Sequence, residues 1–346
     1  MSLVKSERSF SAAEGQSLLE AAAAAGLRIA QGCRGGSCGA CGARLLRGEI
    51  EYPHGPPLGL SAEDRAAGRI LLCQARARSD LEIEVDELRR PEEVIVKRLP
   101  CRIERVQRLA HDVLALYLKL PSAETFAFRP GQYLDVILGE GRRRSFSIAS
   151  APHDGALIEL HVRRVEGGEF TAPLFAADPH KRLLTIEGPL GRSYEAGAKT
   201  PQAPLLCVAG GTGYAPINAI LRDLLERGRR RDLHLYFGAR TRADLYAEAH
   251  VHALRLLDPT LAYVPVLSEP SPDWAGRRGL VHEAVLADHE RLDRFDVYVC
   301  GPPGLIEAAR RTFAARGADP SRIFFDSFDY APDALARQRS SASTRD

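Results

Sequence analysis

Gly32-Cys33-Arg34-Gly35-Gly36-Ser37-Cys38-Gly39-Ala40-Cys41-Gly42 is the stretch on which the reading of this chain turns. Its three cysteines are spaced Cys-x4-Cys-x2-Cys, and a fourth, Cys73, follows after 31 intervening residues. That is the plant-type pattern for four thiolates on a [2Fe–2S] cluster, so Cys33, Cys38, Cys41 and Cys73 are the expected metal ligands. Five glycines lie between positions 32 and 42. Glycine lets a backbone wrap tightly round a cluster and point N–H groups at its sulfurs. Zinc on four thiolates is the alternative. Structural zinc sites use paired Cys-x2-Cys knuckles, and only one such pair is present here.

Working outward, the chain has 346 residues, more than one compact core supports, so two or three domains are expected. Hydrophobic residues make up 45% and charged residues 27%, the balance of a globular protein. A formal net charge of +2 gives no nucleic-acid footprint. No apolar run approaches the roughly 18 residues of a membrane helix, and the opening MSLVKSERSF has no apolar h-region. These features predict a cytoplasmic protein, where clustered cysteines read as metal ligands rather than disulfides. Of the other three cysteines, Cys101 and Cys207 sit in apolar strand contexts and read as packing residues.

Three regions follow from the patterning. Residues 1–92 carry a weak strand at Arg8–Ala12, a helix at Gln16–Ala25 stopped by Gly26, and a strand at Ala43–Tyr52. A short helix at Ser61–Ala67 opens on Ser-x-x-Asp, and strands are expected at Ile70–Gln74 and Leu81–Val85. Arg89–Glu93 reads as a linker. Residues 93–200 hold short runs such as VLALYLKL, QYLDVIL and ALIELHVRRV, the rhythm of an antiparallel barrel, with one helical stretch at Phe170–Ala176. Residues 201–330 alternate strand and helix, which predicts a doubly wound parallel sheet. The polar tail 331–346 reads as disordered.

Two kinds of loop carry chemistry. In the barrel, Arg144-Ser145-Phe146-Ser147 precedes His161-Val162-Arg163 and Gly167-Gly168-Glu169-Phe170-Thr171. An arginine fork beside a helix start suits a diphosphate; a plain exposed strand and a hairpin turn are the alternatives. In the last region, Gly210-Gly211-Thr212-Gly213 follows an apolar strand and opens a helix, and Cys300-Gly301-Pro302-Pro303 does the same. Two such loops at strand carboxyl ends can face one crevice.

In this order the motifs resemble the iron–sulfur flavoprotein reductases of the ferredoxin–NADP reductase superfamily. Segments RRSFSIASAP, IELHVRRV, VAGGTGYAPINAI and IFFDSF are similar to the CDP-6-deoxy-glucoseen reductase subgroup. Reductase components of multicomponent mono- and dioxygenases share the layout. The resemblance implies a β-grasp [2Fe–2S] ferredoxin domain, an antiparallel β-barrel flavin domain and an α/β doubly wound nicotinamide domain. It further implies FAD, a reduced nicotinamide, hydride transfer to the flavin, and single electrons passed through the cluster to a dehydrase or oxygenase partner. A monomer is expected.

Carried onto this chain, Arg144 would meet the diphosphate, Phe146 would pack on the flavin, and Ser147 would donate near its reactive edge. Ser145, His161, Val162, Arg163, Gly168, Phe170 and Thr171 would hold the rest of FAD. Gly211, Thr212, Gly213, Cys300, Gly301 and Pro302 would border the nicotinamide, with Ser147 and Cys300 as the catalytic pair. Phe146 stands where the family has tyrosine, so a hydroxyl contact is lost. For the nicotinamide, Asp244 suits a ribose diol, while Arg240 and Arg242 suit a 2′-phosphate. The subgroup resemblance leans to NADH, with NADPH left open. A free-flavin or quinone reductase, and a zinc-stabilised binding module, are the competing readings.

Overall fold

The computed structural model describes residues 1–5, 7–27, 29, 34–36, 39–85, 96–191, 202–228 and 231–328. Cys33, Cys38, the expected linker Arg89–Glu93 and the tail lie outside the described residues. The chain divides into two compact units, Met1–Glu93 and Val94–Asp346.

The first unit holds β1 (Ser2–Leu3), β2 (Arg8–Ser9), α1 (Leu18–Ala24), β3 (Gly42–Arg47), β4 (Ile50–Glu51), α2 (Ala62–Ala66), β5 (Arg69–Leu71), β6 (Arg76–Ala77) and β7 (Glu82–Glu84). Its main sheet runs β2-β1-β7-β3-β5, with β1 parallel to β7 and the other neighbours antiparallel. Both helices begin with reciprocal caps, Ser17 with Glu20 and Ser61 with Asp64, which satisfy donors the first turn leaves open. Leu18, Leu19, Ala21 and Ala22 of α1 join Leu3, Ile70, Leu72 and Ile83 in one core. The strand expected at 43–52 is broken by Gly48 (φ +98°), where a Cβ would lie 2.2 Å from Asp80 O.

In the second unit, β8 (Lys97–Ala110), β9 (Val113–Lys119), β10 (Tyr133–Ile137), β11 (Arg143–Ser147), β12 (Leu157–Arg163) and β13 (Leu183–Leu190) form an antiparallel sheet ordered β11-β10-β13-β8-β9-β12. A bridge from Ile148 to Leu160 and the Ala149 N–H on Glu159 O (2.8 Å) join its two edges into a barrel. The short helix α3 is Thr171–Ala176. The sequence rhythm missed β13, which lies between β8 and β10.

The rest is β14 (Leu205–Gly210), α4 (Tyr214–Glu226), β15 (Leu233–Ala239), α5 (Glu248–Leu257), β16 (Ala262–Leu267), β17 (Arg277–Arg278), α6 (Val281–Asp288), β18 (Asp296–Gly301), α7 (Pro303–Ala315) and β19 (Ile323–Ser327). All pairs in the sheet β17-β16-β15-β14-β18-β19 are parallel. Alternate residues of β14 enter different cores. Cys207 and Ala209 meet α4 and α5; Leu206 and Val208 meet α6 and α7. Strand order reverses between β14 and β18, and both glycine loops leave the carboxyl ends of those two strands. Among the described residues, no helix is long and apolar enough to cross a membrane.

Candidate functional site

In the first unit, Cys41 directly precedes β3 and Cys73 follows β5 by one residue. The two strands are antiparallel with Gly42 opposite Leu71, and the Leu72 N–H donates to Cys41 O (3.2 Å). Antiparallel pairing therefore brings the distant fourth cysteine back beside the third. Both are buried. Tyr52 lies close enough for both to act on its phenol. Burial pushes that pKa up, the Leu71 N–H donated to its oxygen opposes this, and the charges of Cys41 and Cys73 raise it further.

The preceding loop is pinned. Gln74 Nε2 donates to Arg34 O (2.6 Å), and the Gly59 N–H donates to Gly36 O (2.8 Å). Gly36 has φ +84°, and a Cβ there would stand 2.6 Å from Pro57 Cβ, so this close turn requires glycine. Two buried cysteines on adjoining strand ends, near a glycine-built turn, fit half of the four-thiolate donor set of an iron–sulfur cluster, the half that the described residues include.

In the second unit, the barrel and the parallel sheet converge on one carboxylate. Ser147, the last residue of β11, donates from Oγ to Asp326 Oδ2 (3.2 Å). Cys300 Sγ, in β18, donates to the same oxygen (3.5 Å). Burial pushes the Cys300 thiol well above its ordinary pKa, and the charge and hydrogen bond of Asp326 add to this, so it stays protonated at neutral pH. Sequence reasoning found Ser147 and Cys300 but gave no role to Asp326, which lies in the IFFDSF segment 179 residues from Ser147.

The remaining barrel residues divide between two faces. Arg144 and Phe146 turn toward the start of α3. Phe146 meets Phe170 with ring centroids 5.4 Å apart, and Arg144 Nη2 lies 3.8 Å from Glu169. Thr171 Oγ1 accepts the Val165 N–H (3.0 Å) and would lie 2.5 Å from a Cβ on Gly168, so that turn leaves no room for a side chain. Ser145 does not join this group: its hydroxyl donates to Asp135 (2.7 Å) on the other face. Val162 is in the barrel core. The His161 side chain is buried against Tyr246 and Glu159, both at 3.1 Å.

The two glycine loops touch backbone to backbone. A Cβ on Gly213 would lie 2.1 Å from Cys300 O, and one on Gly301 (φ +150°) would lie 3.0 Å from Gly210 Cα. This bare-backbone cradle beside the helix starts of α4 and α7 fits a dinucleotide diphosphate. Gly301 is buried, while Thr212 is half-buried and Pro302 exposed at the loop rims. Arg163 lies across the loop, its Nη1 2.7 Å from where a Gly211 Cβ would be. Its Nε is 3.1 Å from Asp112, and His111 Nε2 is 3.9 Å from Asp244. The guanidinium thus already supplies the positive charge of this acidic cluster.

Asp244 is committed through one carboxylate oxygen to its own loop. It is buried, and its Oδ2 accepts the Thr241 N–H (3.0 Å) and hydroxyl (2.9 Å) as a cap. Arg240, Thr241, Arg242 and Ala243 are the exposed residues at this strand end. Asp244→Ala is therefore expected to cost about 1–2 kcal/mol, the scale of a lost cap, and to leave the NADH-to-NADPH ratio of kcat/KM unchanged. Parallel melting curves and kinetics with both nucleotides check this; a shifted ratio returns Asp244 to the ribose.

Comparison with known proteins identifies the domains. Residues 3–78 match the 2Fe-2S iron-sulfur cluster binding domain, 100–194 the oxidoreductase FAD-binding domain and 207–311 the oxidoreductase NAD-binding domain. The chain is 36% identical over 312 residues to the CDP-6-deoxy-L-threo-D-glycero-4-hexulose-3-dehydrase reductase of Yersinia pestis, covering 90% of this chain and 92% of that protein. It is 35% identical to the xylene/toluene monooxygenase electron transfer component of Pseudomonas putida, covering 93% and 91%. The structure of an Amycolatopsis cytochrome P450 reductase superposes with a TM-score of 0.75 at 35% identity, covering 93% and 96%. Cluster, flavin and nicotinamide domains thus follow one another along nearly the whole length shared with these proteins, and the chain belongs to the iron–sulfur flavoprotein reductases, as an electron-transfer oxidoreductase with 2Fe-2S, FAD and NAD domains.

Proposed function

We propose that this reductase takes hydride from NADH at the Ser147–Asp326–Cys300 site and delivers electrons through its cluster to a dehydrase acting on a nucleotide-activated deoxyhexulose. The meeting of Ser147 and Cys300 on Asp326 carries the first half of this reading. Likeness to the Yersinia dehydrase reductase supports the second half. When bound, FAD accepts a hydride and gives up its electrons one at a time, and the cluster carries single electrons.

The chain's residues bind and orient. Arg144 and the tight turn at Gly168 would hold the flavin diphosphate, with Phe146 and Phe170 as its apolar wall. Gly211, Thr212, Gly213, Gly301 and Pro302 would hold the nicotinamide nucleotide. Ser147 offers a hydroxyl oriented by Asp326, and Cys300 presents an uncharged thiol that excludes water. Ser147→Ala is expected to lower kcat for nicotinamide-driven ferricyanide reduction by about two orders of magnitude, as when one preorganised donor is lost. FAD content should stay unchanged. An unchanged kcat would move the chemistry elsewhere.

The exposed Arg240 and Arg242 are chemically suited to a 2′-phosphate, so NADPH is expected to be oxidised as a second substrate. A tenfold or greater preference for NADPH would overturn the NADH assignment. An oxygenase component is the second reading of the partner, favoured by the 35% identity to the monooxygenase electron transfer component. Supplying each class of acceptor to the NADH-reduced enzyme discriminates the two; turnover with only the oxygenase rejects the dehydrase. We place this activity in the cytoplasm and in a monomer, which gel filtration tests.

A further inference from the structure

Strand β12 alternates in its duties. Ile158, Leu160 and Val162 fill the barrel core, which leaves Glu159, His161 and Arg163 on the opposite face. There His161 meets the nicotinamide domain, with Glu159 beside it on the barrel. The His161 side chain is 0% exposed, and both ring nitrogens are engaged: Nδ1 with the Tyr246 hydroxyl and Nε2 with Glu159 Oε1, each at 3.1 Å. Glu159 Oε1 also accepts the Tyr117 hydroxyl (3.1 Å), and the Glu159 N–H donates to Ser150 (3.1 Å). The His250 and Tyr214 rings stack with His161 at 5.7 and 6.3 Å, and Tyr246 meets it edge-on at 5.4 Å.

Each nicotinamide-domain member of this cluster belongs to an element that positions a binding loop. Tyr214 opens α4 directly after Gly211–Gly213. Tyr246 stands in the segment between Thr241–Asp244 and α5, and His250 is in α5. A buried polar network of this kind has no water to replace a lost partner, so it holds one arrangement. Other ties hold barrel to domain as well: Arg222 to Asp154 (2.6 Å), Ser147 to Asp326 (3.2 Å), and Asn218 Nδ2 to Ala149 O (3.0 Å), the last next to the cluster because Asn218 Oδ1 accepts the Tyr214 hydroxyl (3.0 Å). Loss of the His161 contacts should therefore loosen the seat without detaching it.

We propose that His161 is a positioning residue that seats the nicotinamide domain on the flavin barrel through Tyr246, and that its side chain does not hold FAD. The proposal deepens the hydride-transfer reading above and rests on it for its kinetic consequence. Tyr246→Phe removes one hydroxyl, and His161→Asn keeps an amide near the Nδ1 position that can pair with the Tyr246 hydroxyl while His161→Gln does not. The experiment measures hydrogen exchange, FAD content and kinetics on the holoenzymes.

Tyr246→Phe and His161→Gln should raise amide exchange across residues 245–257 by about five- to tenfold, the effect of one buried hydrogen bond on local opening. They should lower kcat for ferricyanide reduction with KM for NADH and FAD content unchanged, and His161→Asn should lie closer to wild type than His161→Gln. Loss of FAD from the His161 variants, or unchanged exchange in Tyr246→Phe, would overturn the proposal. Failure of the wild-type enzyme to oxidise NADH would instead overturn the hydride reading, and the exchange data would still decide the role of His161.

Discussion

Replacing Cys73 by serine is expected to split the two halves of the reaction. A serine oxygen is a harder donor than a thiolate, stays protonated near neutral pH, and holds iron poorly in place of sulfur. Cys73 is buried beside Cys41 at the end of two paired strands. The variant should lose cluster absorbance and fall to background with its protein acceptor. NADH-driven ferricyanide reduction should continue, because every residue assigned to hydride transfer lies in the second unit. Acceptor turnover that survived cluster loss would favour a free-flavin or quinone reductase. Purified wild-type protein with zinc and no iron would favour the binding-module reading.

The second large effect is on stability. Asp296 is fully buried, with Arg231 at 2.7 Å on one carboxylate oxygen and Arg322 at 2.9 Å on the other. It joins the start of β18 to the segments preceding β15 and β19. Asp296→Ala leaves a fully buried arginine facing an apolar side chain, and removal of one partner from such a group costs about 3–5 kcal/mol. The loss should appear as an earlier urea transition of the nicotinamide domain, with the ferredoxin unit unaffected. A loss under about 1 kcal/mol would mean that solvent screens these charges as it does a surface pair.

Legibility in the sequence followed the range of the interactions. The first helix was readable from its Ala- and Leu-rich run stopped by Gly26, and the second because cap Ser61 and partner Asp64 are three residues apart. Strands β14 and β18 were readable because burial on both faces makes them continuous apolar runs. Strand β13 was missed. Its Leu183 is 77% exposed and its Gly188-Pro189 breaks the run, while its place between β8 and β10 is fixed by pairing that no local pattern records.

The site shows the same division. Ser147 and Cys300 came from motifs, but the carboxylate joining them came only from closure of the barrel against the last strand of the sheet. Asp244 and His161 are the opposite case. Each lies where a ligand-binding residue is expected, and each is turned to protein contacts that sequence does not reveal: Asp244 caps its own loop, and His161 meets Tyr246.

The central claim is that electrons enter at the nicotinamide domain and leave through the cluster of the same chain. Anaerobic addition of NADH to the purified holoenzyme, followed by electron paramagnetic resonance, tests it most directly. The account predicts that the signal of a reduced [2Fe–2S] cluster grows in wild type with each addition of NADH and is absent in Cys73→Ser. Flavin that bleaches fully while the cluster stays oxidised would contradict it.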